Sequence, residues 1–455
     1  MTRDVRRARS PAAVQIAVGD ALERDRDLHR FLLALATPVV EARGATYLTG
    51  GYLRDIAAGK PGGDVDLMVA GLSHGMLEEE LNGLPADRLG IRKIVHAGKH
   101  FPVFRMATAW SSDYVDISLA RGHGAAQGWA PFVCAVADAA RRDFTINAML
   151  YELVPHGNRL DGELIDPFGG IRDMARGLIR CVGSARDRIR EDPLRALRAI
   201  RLKNEWKGFS IDPATFRAIR QLGAALLPAV PADRLIAELL RSLEANPRAT
   251  MADLRRAGIV RLLLPELSRR KAGAARAERR YEYLERSLRG TIPASILLSN
   301  LLIDLSAPDA ETAARRLRFP NVRHLLPIVS GIHLLRKPEG MRFPFAETEA
   351  ILGRQEDTGP FIALYLAAAA CDGTRGTNLK RFLNLCVKVP SLITGSDLKK
   401  MGYPEGPERE ETLLAVRDAA LRGTIRSRET ALAWANGGLR ARDGIQTGPS
   451  RRNGY

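Results

Sequence analysis

Hydrophobic and polar positions change their rhythm partway along this chain. Between about residues 31 and 170 the apolar residues come in short runs, at 47–49, 65–69, 103–106 and 114–118, separated by Gly, Pro and polar turns. Runs of that kind predict short strands. From Ile171 onward the strand signal nearly vanishes and helical spacing takes over, as at Leu194, Leu197 and Ile200, and at Leu235, Leu239, Leu240 and Leu243. Breaks fall at Asn246-Pro247, Pro265, Ala307-Pro308, Lys337-Pro338 and Thr358-Gly359-Pro360. Residues 269–280, rich in Ala and Arg, read as an exposed basic helix or a linker. Residues 436–455 are rich in Gly and Arg, lack an apolar period and read as disordered. No repeat of fixed period is present. The pattern predicts a mixed sheet-and-helix head followed by a long helical region.

At 455 residues the chain is too long for a single core, so several domains are expected. A hydrophobic content of 45% beside 27% charged residues is that of a globular protein, and no uncharged tract is long enough for a membrane helix. The formal net charge of +17 recurs along the whole length rather than in one tail, which points to a polyanionic partner, nucleic acid above all. Cys134, Cys181, Cys371 and Cys386 form no CxxC pair and have no nearby histidine spacing. That argues against a zinc site or a disulfide framework and fits a reducing cytoplasm. The first residues, MTRDVRRARSP, are basic without an apolar stretch, which suits a frayed lead-in better than a secretory signal.

Candidate chemistry begins at Gly50-Gly51-Tyr52-Leu53-Arg54-Asp55, followed closely by Asp64-Val65-Asp66. A glycine pair lets backbone N–H groups approach a phosphate, and Arg54 can neutralise one, unless it simply pairs with Asp55. Residues two apart on a strand face the same side, so Asp64 and Asp66 can share hard cations. A pair of such ions can clamp the attacking and leaving oxygens of a phosphoryl displacement. Asp116, on another strand-like run, is a further catalytic candidate or else a solvent-facing strand aspartate. Arg141, Arg142, Asp143 and Asn147 then crowd polar groups beside Phe144, Ile146 and Met149, which reads as triphosphate and ribose contact or as a capped basic turn.

The segments GGYLRD, DVD, RRDFTINAM and REDPLRALRAIR, in this order, resemble the class II nucleotidyltransferases: the bacterial tRNA CCA-adding enzymes, their CC- and A-adding relatives, and the bacterial poly(A) polymerases. The resemblance extends into residues 231–267 and 392–398. It implies an α+β fold, with an N-terminal polymerase-β-like nucleotidyltransferase head (a small mixed sheet with helices) followed by all-α neck, body and tail. The expected division is an extension at 1–30, a head at 31–170, a neck at 171–245, a body at 246–385, an RNA-binding tail at 386–435 and a disordered end at 436–455. The resemblance makes Asp64 and Asp66 ligands of Mg²⁺. It makes Gly50, Gly51 and Arg54 triphosphate contacts, and Arg141, Arg142, Asp143 and Asn147 a second nucleotide motif. Asp192, Arg195, Arg198 and Arg201 become the helix that selects the base. The implied substrates are tRNA, CTP and ATP; the alternative is polyadenylation of other RNA 3′ ends.

Base selection has a physical rationale. Arg195, Arg198 and Arg201 recur every three residues and form one slowly drifting stripe. Cytosine and adenine each present an amine donor beside a ring-nitrogen acceptor, so Asp192 can accept and Arg195 can donate. Uracil and guanine invert both pairings. The plainer role for Asp192 is a cap on the helix that Pro193 opens. Three stretches depart from the family pattern: Ile56-Ala57-Ala58-Gly59-Lys60 after the first motif, Val136-Ala137-Asp138-Ala139-Ala140 before the second, and a short loop at 121–130. Glu191-Asp192-Pro193 leans toward poly(A) polymerases, whereas residues 393–425 resemble tRNA-directed members.

Overall fold

The computed structural model describes residues 10–97, 103–121, 129–270, 273–287, 294–320, 392–404, 406–421 and 424–442, together with 292, 322 and 329. Lys337-Pro338, Thr358-Gly359-Pro360, Cys371, Cys386, and most of the lead-in and of the 121–130 loop lie outside the described residues. The chain divides into two compact units, Met1–Leu263 and Leu264–Tyr455.

The first unit opens with two helices. α1 (Pro11–Arg24) starts with Ser10 accepting from the Ala13 N–H and Pro11 in the first turn; α2 (Arg26–Glu41) starts with Asp25 accepting from the Leu28 N–H. These are ordinary N-caps, each accepting from one of the N–H groups that a helix start leaves without an intrahelical partner. Val14, Val18 and Leu22 of α1 are buried in the same core as Phe31, Leu32 and Leu35 of α2. Much of the segment expected to be an extension is thus packed into the head.

Then follow β1 (Ala45–Thr49), α3 (Gly50–Ala57), β2 (Asp66–Ala70), α4 (His74–Gly83), α5 (Ala86–Leu89), β3 (Ile91–Ala97), β4 (Val103–Thr108), β5 (Val115–Leu119), α6 (Pro131–Ala139), β6 (Leu150–His156) and β7 (Arg159–Ile165). The seven strands form one sheet in the order β3-β4-β5-β2-β1-β6-β7, antiparallel except where β2 runs parallel to β5. Both faces are covered. Leu48, Leu67, Val69, Phe104, Met106, Val115 and Ile117 point into the core with α1 to α4, whereas Tyr47, Met68 and Ala70 pack with Cys134, Ala135 and Ala139 of α6. Alternation along a strand then fixes the polar residues: Thr49, Asp66, Arg105 and Asp116 cannot point into the larger core.

After β7 the unit is almost wholly helical. α7 (Gly170–Arg176), α8 (Ala185–Glu191), α9 (Arg195–Glu205), α10 (Pro213–Ala218), the short α11 (Ala224–Leu226), α12 (Ala232–Ala245), α13 (Pro247–Arg256) and α14 (Val260–Leu263) are joined by short turns, and only the two-residue β8 (Leu178–Ile179) and β9 (Ser210–Ile211) interrupt them. Leu194, Leu197 and Ile200 are buried, as the helical spacing predicts, and so are Leu235, Leu239 and Leu243.

In the second unit, α16 (Gly273–Ser287) follows α15 (Pro265–Arg269), so residues 269–280 are largely helix. Arg280 departs from the exposed reading. It is only 3% exposed and pairs with Asp304 at 2.9 Å. α17 (Ala294–Leu302) and α18 (Ala307–Arg316) come next, the latter at the predicted Ala307-Pro308 break. Three later helices, Gly395–Lys400, Pro407–Leu421 and Arg428–Arg442, close a small core of Ile393, Leu398, Tyr403, Val416, Ile425 and Ala431. The last of them reaches into the stretch read as disordered.

Candidate active site

Parallel pairing of β2 and β5 sets Asp66 beside Asp116, and antiparallel pairing of β1 and β2 sets Thr49 beside Asp66. The chain leaves β1 through Gly50, whose φ of +68° is one that side-chained residues rarely adopt. A Cβ on Gly50 would lie 2.5 Å from Asp66 Oδ2, so only glycine leaves room for this carboxylate. The Gly51 N–H donates to the Asp66 carboxylate. Asp64, expected on the same strand face as Asp66, instead lies in a bend before β2, which begins only at Asp66, and is exposed.

Burial raises the Asp66 carboxyl above the usual carboxylate range. Arg142 and the Gly51 N–H pull it down, while the negative charges of Asp116 and Asp64 push it further up. A bound cation would relieve the charge crowding at this point, and the space left by Gly50 lies against the carboxylate oxygen. The donor set, two or three carboxylates of a hard-oxygen type, suits a divalent ion such as Mg²⁺. Asp116 is less available than its register suggests: Arg105 Nε and Nη2 donate to its Oδ1 and Oδ2, both at 2.9 Å. Among the described residues no three His, Cys, Asp or Glu side chains are grouped as a ready-made metal site.

A chain of polar contacts runs from the glycine turn to the neck helix. Arg54, on α3, pairs with Asp55 at 2.9 Å, the plainer of its two expected roles, and also donates to Asn147 Oδ1 at 2.9 Å. Asn147 Nδ2 donates to Asp143 Oδ1 at 3.0 Å, and Asp143 Oδ2 pairs with Arg198 of α9 at 3.1 Å. Burial pushes the Asp143 carboxyl up, but Arg198, Asn147, the Phe144 N–H and Arg195 together outweigh it and hold it below the usual range. Arg142 has a parallel set of contacts: Asp138 at 3.3 Å, the Asn147 carbonyl at 3.3 Å and Thr49 Oγ1 at 3.0 Å. Arg141 is exposed, and its carbonyl accepts from Arg195 Nη2 at 2.9 Å.

The base-selecting residues are less uniformly disposed. Arg195 donates to Glu191 and to the carbonyls of Arg188 and Arg141. Asp192 ends α8, and α9 opens at Arg195 with Leu194 at its N-cap rather than at Pro193; Asp192 Oδ1 still accepts from the Leu194 N–H at 3.2 Å, and Oδ2 takes Arg234 at 3.2 Å. Arg201 is engaged by Glu238 of α12 and Glu205 of its own helix.

Four residues outside the expected set shape the site. Arg105 holds Asp116. Asp138, nearly fully buried, pairs with Arg121 at 2.8 Å as well as with Arg142. Lys60 Nζ lies 3.4 Å from the centroid of the Trp206 ring, and Arg54 lies 5.6 Å from the same ring, so one buried indole braces both. Strand alternation was signal enough for Arg105, since Phe104 and Met106 take the core face. Nothing local marks Trp206, which meets Lys60 only through the fold.

The comparisons agree with this layout. Residues 46–180 match the "Poly A polymerase head domain" family, and residues 208–270 match "Probable RNA and SrmB- binding site of polymerase A". The multifunctional CCA protein of Neisseria gonorrhoeae is 36% identical over 234 residues, which is 49% of this chain and 50% of that protein. Over these segments the chain is similar to tRNA nucleotidyltransferases and poly(A) polymerases. The multifunctional CCA protein of Cupriavidus taiwanensis is 37% identical over 229 residues, again 49% of this chain and 51% of that protein. The chain spans about half the length of the curated relatives it matches. Among solved structures, the Thermotoga maritima CCA-adding enzyme complexed with tRNA covers 93% of this chain and 98% of its own, with TM-score 0.65 and 23% identity. At that identity the likeness speaks for the fold: a polymerase-type head followed by helical regions.

Proposed function

We propose that the chain is a template-independent tRNA nucleotidyltransferase that adds C, A or both to the tRNA 3′ end, using CTP and ATP. The observation that carries this reading is the meeting of Asp66 with the Gly50-Gly51 turn at one end of the sheet, with Asp64 near enough for its charge to act on Asp66, Arg142 acting on the same carboxylate and Arg54 beside Gly51. The curated CCA proteins and the solved CCA-adding enzymes support it.

In the reaction the RNA 3′-oxygen bonds to the α-phosphate, the bond to the β-phosphate bridge breaks, and pyrophosphate leaves. Asp64 and Asp66 would hold a divalent cation, Mg²⁺ in this reading. When bound it supplies charge neutralisation at the reacting phosphate. Gly51 gives the triphosphate close backbone approach, and Arg54 and Arg142 supply fixed positive charge. Asp143 and Asn147 hold Arg54 and Arg198 in place. Asp192 and Arg195 read the Watson–Crick edge of the incoming base, with Arg234 as a further donor beside Asp192. The same reading divides the chain into a head that runs from α1 to residue 170, a neck at 171–245, a body at 246–385 and an RNA-binding tail at 386–435, working in the cytoplasm.

One observation favours polyadenylation instead: both family matches are to poly(A) polymerase domains. Purified protein given tRNAs ending before, within and after CC, each with CTP or ATP alone, separates the two. The proposal expects one or two C additions that stop at CC with CTP alone, or a single A added to the CC end with ATP alone, and nothing beyond CCA. Long ATP-dependent tails on tRNA and on unstructured RNA alike would replace it with the second reading.

A further inference from the structure

Arg105 and Asp116 are cross-strand partners on β4 and β5, joined by both nitrogens of the guanidinium fork to both carboxylate oxygens at 2.9 Å. The opposite face of the two strands is filled by Phe104, Met106, Val115 and Ile117, so this pair shares its face with Asp66, the register partner of Asp116. Arg105 also lies 5.5 Å from the centroid of the Tyr114 ring. Its side chain is 46% exposed, against 29% for Asp116, so the guanidinium has open solvent to swing into.

We infer that Arg105 sets the cation affinity of the site by competing with the divalent ion for Asp116. This rests on the reading that Asp64 and Asp66 hold such an ion. A planar fork that engages both oxygens of a carboxylate occupies the positions a hard cation would take. While Arg105 is in place the ion has two carboxylates to bind, and a fixed positive charge stands beside them. When Arg105 lets go, Asp116 joins the ligand set. Arg105 is thus a positioning residue: it governs whether the third carboxylate is offered, and the Tyr114 face steadies the closed arrangement.

Mn²⁺ titration of the full chain without nucleotide, followed by loss of the free-ion electron paramagnetic resonance signal, tests this without any turnover. Arg105→Gln is expected to tighten Mn²⁺ binding severalfold, on the order of three- to tenfold, the range of a partly exposed bidentate pair. Adding Asp116→Asn to that variant should erase the gain. Unchanged or weaker binding in Arg105→Gln, or a gain that survives Asp116→Asn, would overturn the inference. Circular dichroism checks the fold. If Arg105→Gln does not fold, Arg105→Lys, which keeps the charge and loses the fork, must still bind Mn²⁺ more tightly than the unaltered chain, and equal binding overturns the idea. Failure of the underlying reading looks different: the unaltered chain would bind no Mn²⁺, or Asp66→Asn would bind it as well as the unaltered chain does.

Discussion

Asn147 is the residue on which the polar chain turns, because one side-chain amide accepts from Arg54 and donates to Asp143. Replacing it with Ala removes both contacts and leaves the buried Asp143 carboxylate short of a donor. The expected cost is about 1–3 kcal/mol in urea unfolding, with a raised KM for the nucleotide as Arg54 loses its hold. A drop in stability with unchanged KM would make Asn147 structural only. Asp143 itself carries a pH signature. Its folded carboxyl sits below the ordinary range, so its contribution is present above the unfolded value near 4 and is lost as pH falls through the lower folded value. Thermal melts from about pH 5 down to pH 2 should therefore show a steeper loss for the native chain than for Asp143→Asn, which is less stable at neutral pH and flatter in acid. Parallel curves would refute the assignment.

The elements show which parts of the fold were open to a reader of the sequence. β1, β2, β4 and β5 were legible because each is a compact apolar run bounded by turn residues. β3 was not, since Arg92 and Lys93 break its apolar run. β6 and β7 were missed although two residues, Gly157-Asn158, separate them, a hairpin signal that Pro155 in β6 and the polar alternation of β7 obscured. α1 escaped because its cap, Ser10-Pro11, was read as part of a lead-in. Helix α9 was legible in its buried stripe and not in its arginines. Their spacing says that they share a face, while their partners, Glu191, Asp143 and Glu238, come from three other places in the fold. Asp66 and the glycine turn were readable from local motif spacing, whereas Asp64 lies in the bend before β2 rather than on its face; strand alternation marks Arg105, but Asp138 and Trp206 act through tertiary contacts that no local pattern holds. The element-scale test is Asp192→Ala. Losing the carboxylate should reduce discrimination between CTP and UTP by about 1–3 kcal/mol, read as the ratio of kcat/KM values. Because Asp192 also caps the Leu194 N–H, circular dichroism is needed beside it. Lost stability with an unchanged CTP/UTP ratio would leave Asp192 with the cap alone.

For the molecule as a whole, the decisive property is charge. A net +17 distributed along the length predicts RNA binding that weakens steeply with salt, as bound cations are released from the phosphates. Titrating labelled tRNA between 50 and 200 mM salt (about the range over which such losses are large) should give a strongly negative log–log slope, and a flat response would count against a nucleic-acid substrate. Among the described residues no helix is long and apolar enough to cross a membrane. The central claim is narrower than any of this: Asp64 and Asp66 are where a nucleotide is transferred. It is tested most directly by pyrophosphate release from CTP and ATP in the presence of tRNA and a divalent cation, for the native chain and for Asp66→Asn. The account predicts release by the native chain and a fall of at least about a thousandfold in the variant, the scale of losing a principal charge-stabilising group, with tRNA affinity nearly unchanged. Native-level release by Asp66→Asn would contradict it.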